Sequence, residues 1–490
     1  MKVERHTNTS TVSLGRCTSS LGLRVCAGVL TCVAVLYATT SLLLTRLASV
    51  VSALLATMTR MFGFDRIFRR NSTAITAVVL AESGIIGLAW FPRITWVGIS
   101  ISMAVFVALL AISISGTRRA LELPRGLDEI KVPRSSFERL AARYVANPLD
   151  AVFVRLTVGI SAVILPSFAG VLVPVTCSPY VMVLYVLLMM TCAEPFELVD
   201  HTNMHNRVFF ANRDCSTVSR TALRCLALWQ EYGLTLAMTR IPHRYRVQHL
   251  YVHHIENNGP TDPQSTIRYD RTSYFAFSRF ALKMGVNSTF PWGVSRYLFR
   301  VGRYRALVVL HANLLGYVAF LIALTILNLP AAILIIALRF SSGTGATLLN
   351  FYEHGLIDPS DVQNLYRNAV TIAILHENEH GSLGNDFHVA HHAHPGRHWS
   401  QLIEEARASV ALYGQKDAIV FRDARAVVRN LLRRRFDALA AQCELNGRSP
   451  SALAQELQRR AGQRLEGPNV LARRLDHWFG EFAGRFLIEA

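Results

Sequence analysis

The sequence predicts an all-α integral membrane protein. The expected form is a six-helix bundle of three hairpins with a cytoplasmic histidine-rich cap, an N-terminal apolar segment and a helical C-terminal tail. Three observations lead there. The 490 residues are 51% hydrophobic, and the apolar residues gather into runs of about 18–24, the length a helix needs to cross a hydrocarbon core of ~30 Å. Of 17 histidines, 15 lie between His201 and His398, in groups that repeat the i, i+3, i+4 spacing of one helix face. The net charge of +18 reads as Lys and Arg held on the cytoplasmic side of a polytopic protein. No nucleic-acid-binding motif accompanies it.

Residues 1–72 form an N-terminal extension. Residues 1–24 are rich in Ser and Thr, and an apolar run from Val25 to Leu44 is followed by a weaker one to Met58. No small-x-small cleavage site stands out, so a signal anchor is favoured over a signal peptide, and an extension of little functional weight is a third reading. Arg60, Arg66, Arg69 and Arg70 make a basic loop.

Residues 73–400 are expected to be the membrane domain. The first hairpin covers about 73–91 and 94–115, with Phe91-Pro92-Arg93 as a tight joint where proline breaks the helix. The next stretch, 117–150, carries seven basic residues (Arg118, Arg119, Arg125, Lys131, Arg134, Arg139 and Arg143) and is placed in the cytoplasm. A second hairpin covers about 151–175 and 179–196, turning near Pro174, Cys177 and Pro179. It returns to the cytoplasm where Glu194, Glu197, Asp200, His201 and His205 appear. Residues 206–300 are mixed and polar. A third hairpin, about 305–327 and 330–345, turns at Asn328 and Pro330 and returns at Asn350 and His354. All histidine groups thus fall on one side.

Residues 401–490 read as a soluble tail of amphipathic helices with basic faces, for example Arg422, Arg425, Arg429 and Arg433, punctuated by Gly447, Pro450, Gly467 and Pro468. Such a face is either simply solvated or docks on anionic lipid or an acidic redox partner. None of the eight cysteines forms a C-x2-C pair. That excludes a zinc ribbon, a fused rubredoxin-type iron site and a thioredoxin motif, so an electron-transfer centre must come from another protein.

The histidine groups are His201/His205, then His249, His253 and His254, then His354, then His388, His391 and His392. Four residues of α-helix turn about 400°, so His201 and His205 share a face and can share a metal; the same holds for His249/His253 and His388/His392. An adjacent histidine, as in His253-His254, points about 100° away and can serve a second ion. A lone H-x3-H pair is usually a surface pair, but this clustering points to metal. Nine imidazoles are too many for one Fe, Zn, Cu or Ni ion and about right for two. Asp200, Glu256, Glu353 and Asp386 stand beside these groups and are candidates for orienting the imidazoles, with a solvated loop carboxylate as the equal alternative for each; Asn350, one helical turn before His354, is placed to reach the metal directly or through water, and His394 is a candidate for supporting the ligands. His398 is a weaker candidate of the same kind. His376 and His380 also have i, i+4 spacing, and His311 lies within a span, where a hydrogen-bonded packing role is expected.

Asn350-Phe-Tyr-Glu-His354-Gly-Leu resembles the N-Y-x-E-H-Y-G motif of integral-membrane alkane 1-monooxygenases. His388-Val-Ala-His391-His392-Ala-His394-Pro395 resembles their H-x-x-H-H-A-[HN]-P box, and His249 to His254 with Asp262-Pro263 downstream is similar to their E-H-x-x-G-H-H box. The resemblance covers about 74–400 and extends more distantly to membrane fatty acid desaturases. It implies a six-helix bundle with two non-haem irons held by His201, His205, His249, His253, His254, His354, His388, His391 and His392. It also implies O2 as co-substrate, an alkyl-chain substrate in membrane lipid, and electrons from a reductase by way of rubredoxin or ferredoxin. The departures are Thr202 and Asn206 for Glu and Lys in the first box, and Gln248 and Val252 for Glu and Gly in the second. These alter the surroundings of the metal and leave hydroxylation and desaturation both open. The expected function is hydroxylation of an alkane or fatty-acyl chain in a bacterial inner membrane, with the active site facing the cytoplasm. Desaturation is the alternative, and a non-enzymatic metal-binding membrane protein a remote one.

Overall fold

In the computed structural model, residues 121, 123, 135–372, 382–422, 427–444 and 448–465 are described. The N-terminal apolar segment, the first predicted hairpin, His376 and His380 lie outside them.

The second and third hairpins are where the apolar runs place them. Helix α1 (Ala151–Leu172) packs on α2 (Pro179–Asn206). Ser178 caps α2 by accepting from the Val181 N–H, with Pro179 in the first turn, where its missing N–H costs nothing. Helix α3 (Thr217–Leu228) runs into a π-turn, Trp229–Leu234, and α4 (Arg244–Gln248) runs into a second, His249–His253. Helix α5 (Tyr274–Thr289) precedes the third hairpin, α6 (Tyr304–Leu327) and α7 (Leu329–His354). Asn328 caps α7 and donates from Nδ2 to the Val171 and Leu172 carbonyls at 2.9 and 3.3 Å. It thereby satisfies the open end of α1 and ties the two hairpins together at their turns.

Among the described residues, four helices are long and apolar enough to cross a membrane: α1 with the 3-10 turn before it, α2, α6 and α7. Most of α6 is uncovered, and Ile326 is 78% exposed; a face so apolar suits lipid rather than water.

Two helices run on beyond the predicted span ends. The sequence places them near 196 and 345, but α2 continues to Asn206 and α7 to His354. Hydropathy marks where the apolar stretch stops, whereas a helix stops at a breaker. For α2 that breaker is Arg207, in the left-handed region at φ 51°. His201, His205 and His354 therefore stand on rigid continuations of the spans.

Helices α5 and α7 pack closely because Gly285 faces Phe340 and Thr344 while Gly343 faces Ser288 and the Met284 carbonyl. One feature departs from an all-helical reading. Strands β1 (Val370–Ile372) and β2 (Ile419–Phe421) pair in parallel, Val370 opposite Ile419. The sheet is short but well placed: the Thr371 hydroxyl accepts from the Val389 N–H at 3.2 Å, anchoring α8 (His388–Ala393). After α8, His398 Nε2 and Trp399 Nε1 meet Asp150 Oδ1 at 3.1 and 2.8 Å, clasping this segment to the start of α1.

Among the described residues, those after 401 pack on the helices before them. Helices α9 (Leu402–Ala408), α10 (Val427–Leu432), α11 (Phe436–Ala440) and α12 (Pro450–Gly462) follow. Leu431, Leu439 and Leu457 share one core with Phe280 of α5 and Phe351 of α7. The arginines of α12 are paired internally. Arg459 Nη2 lies 2.9 Å from Asp358 Oδ2, Arg460 Nε lies 2.8 Å from Glu456, and Arg367 meets Asp358 at 3.0 Å. Fully buried Arg271 donates to the carbonyls of Gly355 at 3.0 Å, Tyr269 at 3.1 Å, Gln463 at 3.0 Å and Arg460, joining the end of α7 to α12.

Candidate metal centre

All nine histidines converge, in two adjoining groups. One holds His201, His205, His249, His254 and His391; the other holds His253, His354, His388 and His392. Within each group one ring nitrogen per residue lies within 4.8 Å of all the others. The groups meet at His254 and His392, whose ring centroids are 4.6 Å apart.

The expected sharing of one ion by His201 and His205, and by His388 and His392, matches this grouping. That of His249 and His253 does not. His249 Nε2 lies 3.0 Å from His254 Nε2, while His253 belongs to the other group. The cause is the π-turn over His249–His253. Its i→i+5 hydrogen bonding winds more loosely than an α-helix and brings residue i+5, not i+4, back over residue i.

The nitrogen geometry fits cations. The Nε2 atoms of His201 and His249 are 3.0 Å apart, as are those of His388 and His354, and those of His392 and His388 are 3.1 Å apart. His253 Nδ1 bonds Asp262 Oδ2 at 2.8 Å, and His354 Nδ1 donates to the Asn368 carbonyl at 2.6 Å. Each bond holds the proton on Nδ1 and leaves the Nε2 lone pair for a metal. His205 Nε2 and His391 Nε2 are buried with no hydrogen-bond partner among the described residues. Burial, then the neighbouring imidazoles, pull His249, His254, His388, His391 and His392 far below the ordinary imidazole range. They are neutral at physiological pH, the form that ligates. Converging, neutral, partly unsatisfied donors are what two metal ions require.

The residues expected to orient the imidazoles divide. Glu353 lies 3.6 Å from His388 Nε2. Asn350 lines the adjoining cavity, with a buried Oδ1 lacking a partner among the described residues. Asp200 meets Gln230 Nε2 at 3.1 Å and Arg240 at 3.8 Å, and Asp386 accepts from the Tyr352 hydroxyl at 2.9 Å. His394 is 47% exposed and lies 3.3 Å from Glu405, turned away from the groups because α8 ends at Ala393. Glu256 bonds the Tyr297 hydroxyl, His398 bonds Asp150, and His311 bonds Ser295 at 3.0 Å. Sequence reasoning noted Asp262 only as part of a motif; the Asp-Pro that follows the second group was the signal. The Asn368 carbonyl left no signal. The stretch His376-Glu-Asn-Glu-His380 has the H-E-x-x-H spacing of zinc peptidases; it lies outside the described residues and contributes none of the nine.

Beside the histidines is a cavity of about 120 Å³. His201, His249, His253 and His388 line one part; Arg240, Arg244, Arg246 and Arg339 line another. Arg240 pairs with Glu197 and, at 3.8 Å, Asp200, and Arg246 pairs with Glu231 at 2.7 Å. Burial and the charge of Arg240 pull the Arg244 guanidinium down to about 10.

Neither the curated proteins nor the solved structures include a match to the chain. Residues 227–422, which hold seven of the nine histidines, match the family model for fatty acid desaturases, and this supports a place in the fatty acid desaturase-like superfamily.

Proposed function

We propose that the chain is a membrane-bound non-haem di-iron monooxygenase that hydroxylates an alkyl chain, of alkane or fatty-acyl type. The observation that carries this is the pair of adjoining histidine groups, five and four imidazoles, mostly buried, with His201, His205 and His354 at the ends of apolar helices. The nine histidines are the proposed ligands. Two irons held there would supply O2 activation and C–H cleavage. The protein's part is to position and protect. Asp262 and the Asn368 carbonyl fix the ring tautomers of His253 and His354, and the cavity beside the imidazoles positions the substrate. The electrons come from a rubredoxin- or ferredoxin-type donor with its reductase, since the chain has no electron-transfer motif of its own. The site faces the cytoplasm of a bacterial inner membrane.

Desaturation of a fatty acyl or lipid-linked chain is the second reading, and the family match is equally consistent with it. Both readings need the same iron, O2 and electron donor. The test is mass spectrometry of products formed under 18O2 by the iron-loaded chain. One added 18O per turnover supports hydroxylation, and loss of two hydrogens with no oxygen gained replaces it with desaturation. Tightly held zinc, with no O2 uptake restored by iron, refutes both.

A further inference from the structure

The cavity beside the histidines is not lined as an unfunctionalised hydrocarbon would require. Its carboxylates, Glu197, Asp200, Glu231 and Glu353, equal its four arginines in number, but they are unevenly placed. Glu197 and Asp200 serve Arg240, Glu231 serves Arg246, and Glu353 approaches His388. Arg244 and Arg339 have backbone partners instead. Arg244 is 5% exposed; its Nη2 donates to the Asn287 carbonyl at 2.7 Å, and its Nε is buried with no partner among the described residues. Arg339 is 4% exposed, on a helix apolar enough to span a membrane, and its Nε and Nη2 both converge on the Ser288 carbonyl at 3.0 and 2.7 Å. Because Asn287 and Ser288 are adjacent, the two guanidiniums are neighbours.

A buried guanidinium keeps its place when its donors and its charge are met. One carbonyl oxygen meets neither for long: each guanidinium has five donors arranged to grip a planar oxyanion. Ionisable groups within spanning helices mark binding sites for this reason. We propose that Arg244 and Arg339 bind the oxyanion of the substrate, a carboxylate or a phosphate, within the same cavity as the histidines. This rests on the reading of the histidines as an oxidation centre and names the substrate class for it: an alkyl chain with an anionic end, not an alkane. Since one cavity is lined by both the arginines and four of the imidazoles, the anionic end and the carbon presented for oxidation share it.

The test is equilibrium binding to the full chain in nanodiscs of neutral lipid, with hexanoate, hexyl phosphate and 1-hexanol as probes, and iron measured in the same preparation. Binding of hexanoate or hexyl phosphate at least about tenfold tighter than 1-hexanol is expected, and R244Q or R339Q should bring the anion down to the alcohol's level. A preference for hexanoate alone identifies a free carboxylate; a preference for hexyl phosphate identifies a phospholipid-type head. Where a glutamine variant fails to insert, R244K or R339K keeps the charge but loses the fork, and should weaken anion binding at least about threefold. Equal affinity for all three probes in the wild-type protein overturns the proposal, as does an anion preference that survives in folded variants at both positions. Two irons without anion preference sinks this inference alone. Anion preference in a chain that cannot hold iron leaves the anion site standing and sinks the oxidation centre.

Discussion

Asp262 tests the metal centre most directly, because it acts on one group of histidines and touches the other not at all. Its Oδ2 lies 2.8 Å from His253 Nδ1, and its Oδ1 accepts from the Gln264 N–H at 2.8 Å. Replacing it with Asn keeps the shape and lets the amide oxygen accept either bond, but puts a neutral amide where the carboxylate faced the His253 ring. Partners of this kind are worth about 10–100-fold in metal affinity, which converts to about 1.4–2.7 kcal/mol. His253 is one of four donors in its group and absent from the other. The expected result is therefore asymmetric: in D262N one of two ions binds about 10–100-fold more weakly and the second is unchanged. The assay is anaerobic metal titration against a chelator of known affinity in detergent, with metal counted per chain. It requires no turnover, so it stands apart from any question of substrate. Two ions held as tightly as in the wild-type protein would refute the assigned role of Asp262, and equal weakening of both would refute the division into two groups.

Arg271→Lys removes the fork that holds six backbone carbonyls, and an ammonium has three donors at one point. Each carbonyl left unpaired costs about 1–3 kcal/mol, so the apparent melting temperature should fall by about 5 °C or more; an unchanged value would refute the clasp. In acid, burial would raise the Asp358 carboxyl, but bonds from Arg459 and Ser360 and the charge of Arg367 outweigh it and hold it below its ordinary 3.8. Bonds from Arg459, working against burial and helped by Arg460, bring Glu456 down from 4.5 to about 2. Both folded values are depressed, so their stabilisation is complete above about pH 4.5 and is lost as the pH falls toward 2. Limited proteolysis should release α12 only in that window, and release that begins near neutrality would argue against these pairs. Gly343→Ala places a methyl against Ser288 and 2.9 Å from the Met284 carbonyl, so α5 and α7 must separate at a cost of about 1–3 kcal/mol. Gly345→Ala meets nothing within 4 Å and should be neutral or stabilising; equal melting temperatures for the two variants would refute the close approach.

What the sequence showed, and what it hid, follows from the range of the interactions. Apolar runs located the two described hairpins because hydropathy is summed residue by residue. The same signal did not reach the helix ends, since the continuations of α2 to Asn206 and α7 to His354 are polar helix. Spacing found all nine histidines but joined His249 to the wrong partner. A period of four residues assumes an α-helix, and nothing in His249-Leu-Tyr-Val-His253 announces a π-turn. Of the tail's arginines, Arg422 and Arg433 are exposed, as a solvated face requires, whereas Arg459 and Arg460 face Asp358, about a hundred residues back in the chain, which no local spacing could show. The buried pair Arg244 and Arg339 was invisible for the same reason: 95 residues separate them, and each alone looks like an ordinary loop or span-end cation.

The grouping also shows how the metal centre is coupled to the fold. The group of five takes His201 and His205 from α2, His249 and His254 from the second π-turn and the residue after it, and His391 from α8. The group of four takes His253 from the same π-turn, His354 from α7, and His388 and His392 from α8. Each group therefore needs three elements far apart in sequence, and the π-turn and α8 serve both. A unit change of register in either would move ligands between groups, so these two short elements must be held from outside. The Thr371 hydroxyl holds α8 at Val389, the Asn147 and Asp150 side chains hold the segment after it at His398 and Trp399, and Asp262 holds the π-turn at His253. The long helices α2 and α7 fix three of the nine directions in space, those of His201, His205 and His354, and the tethers at these three places fix which histidine falls in which group.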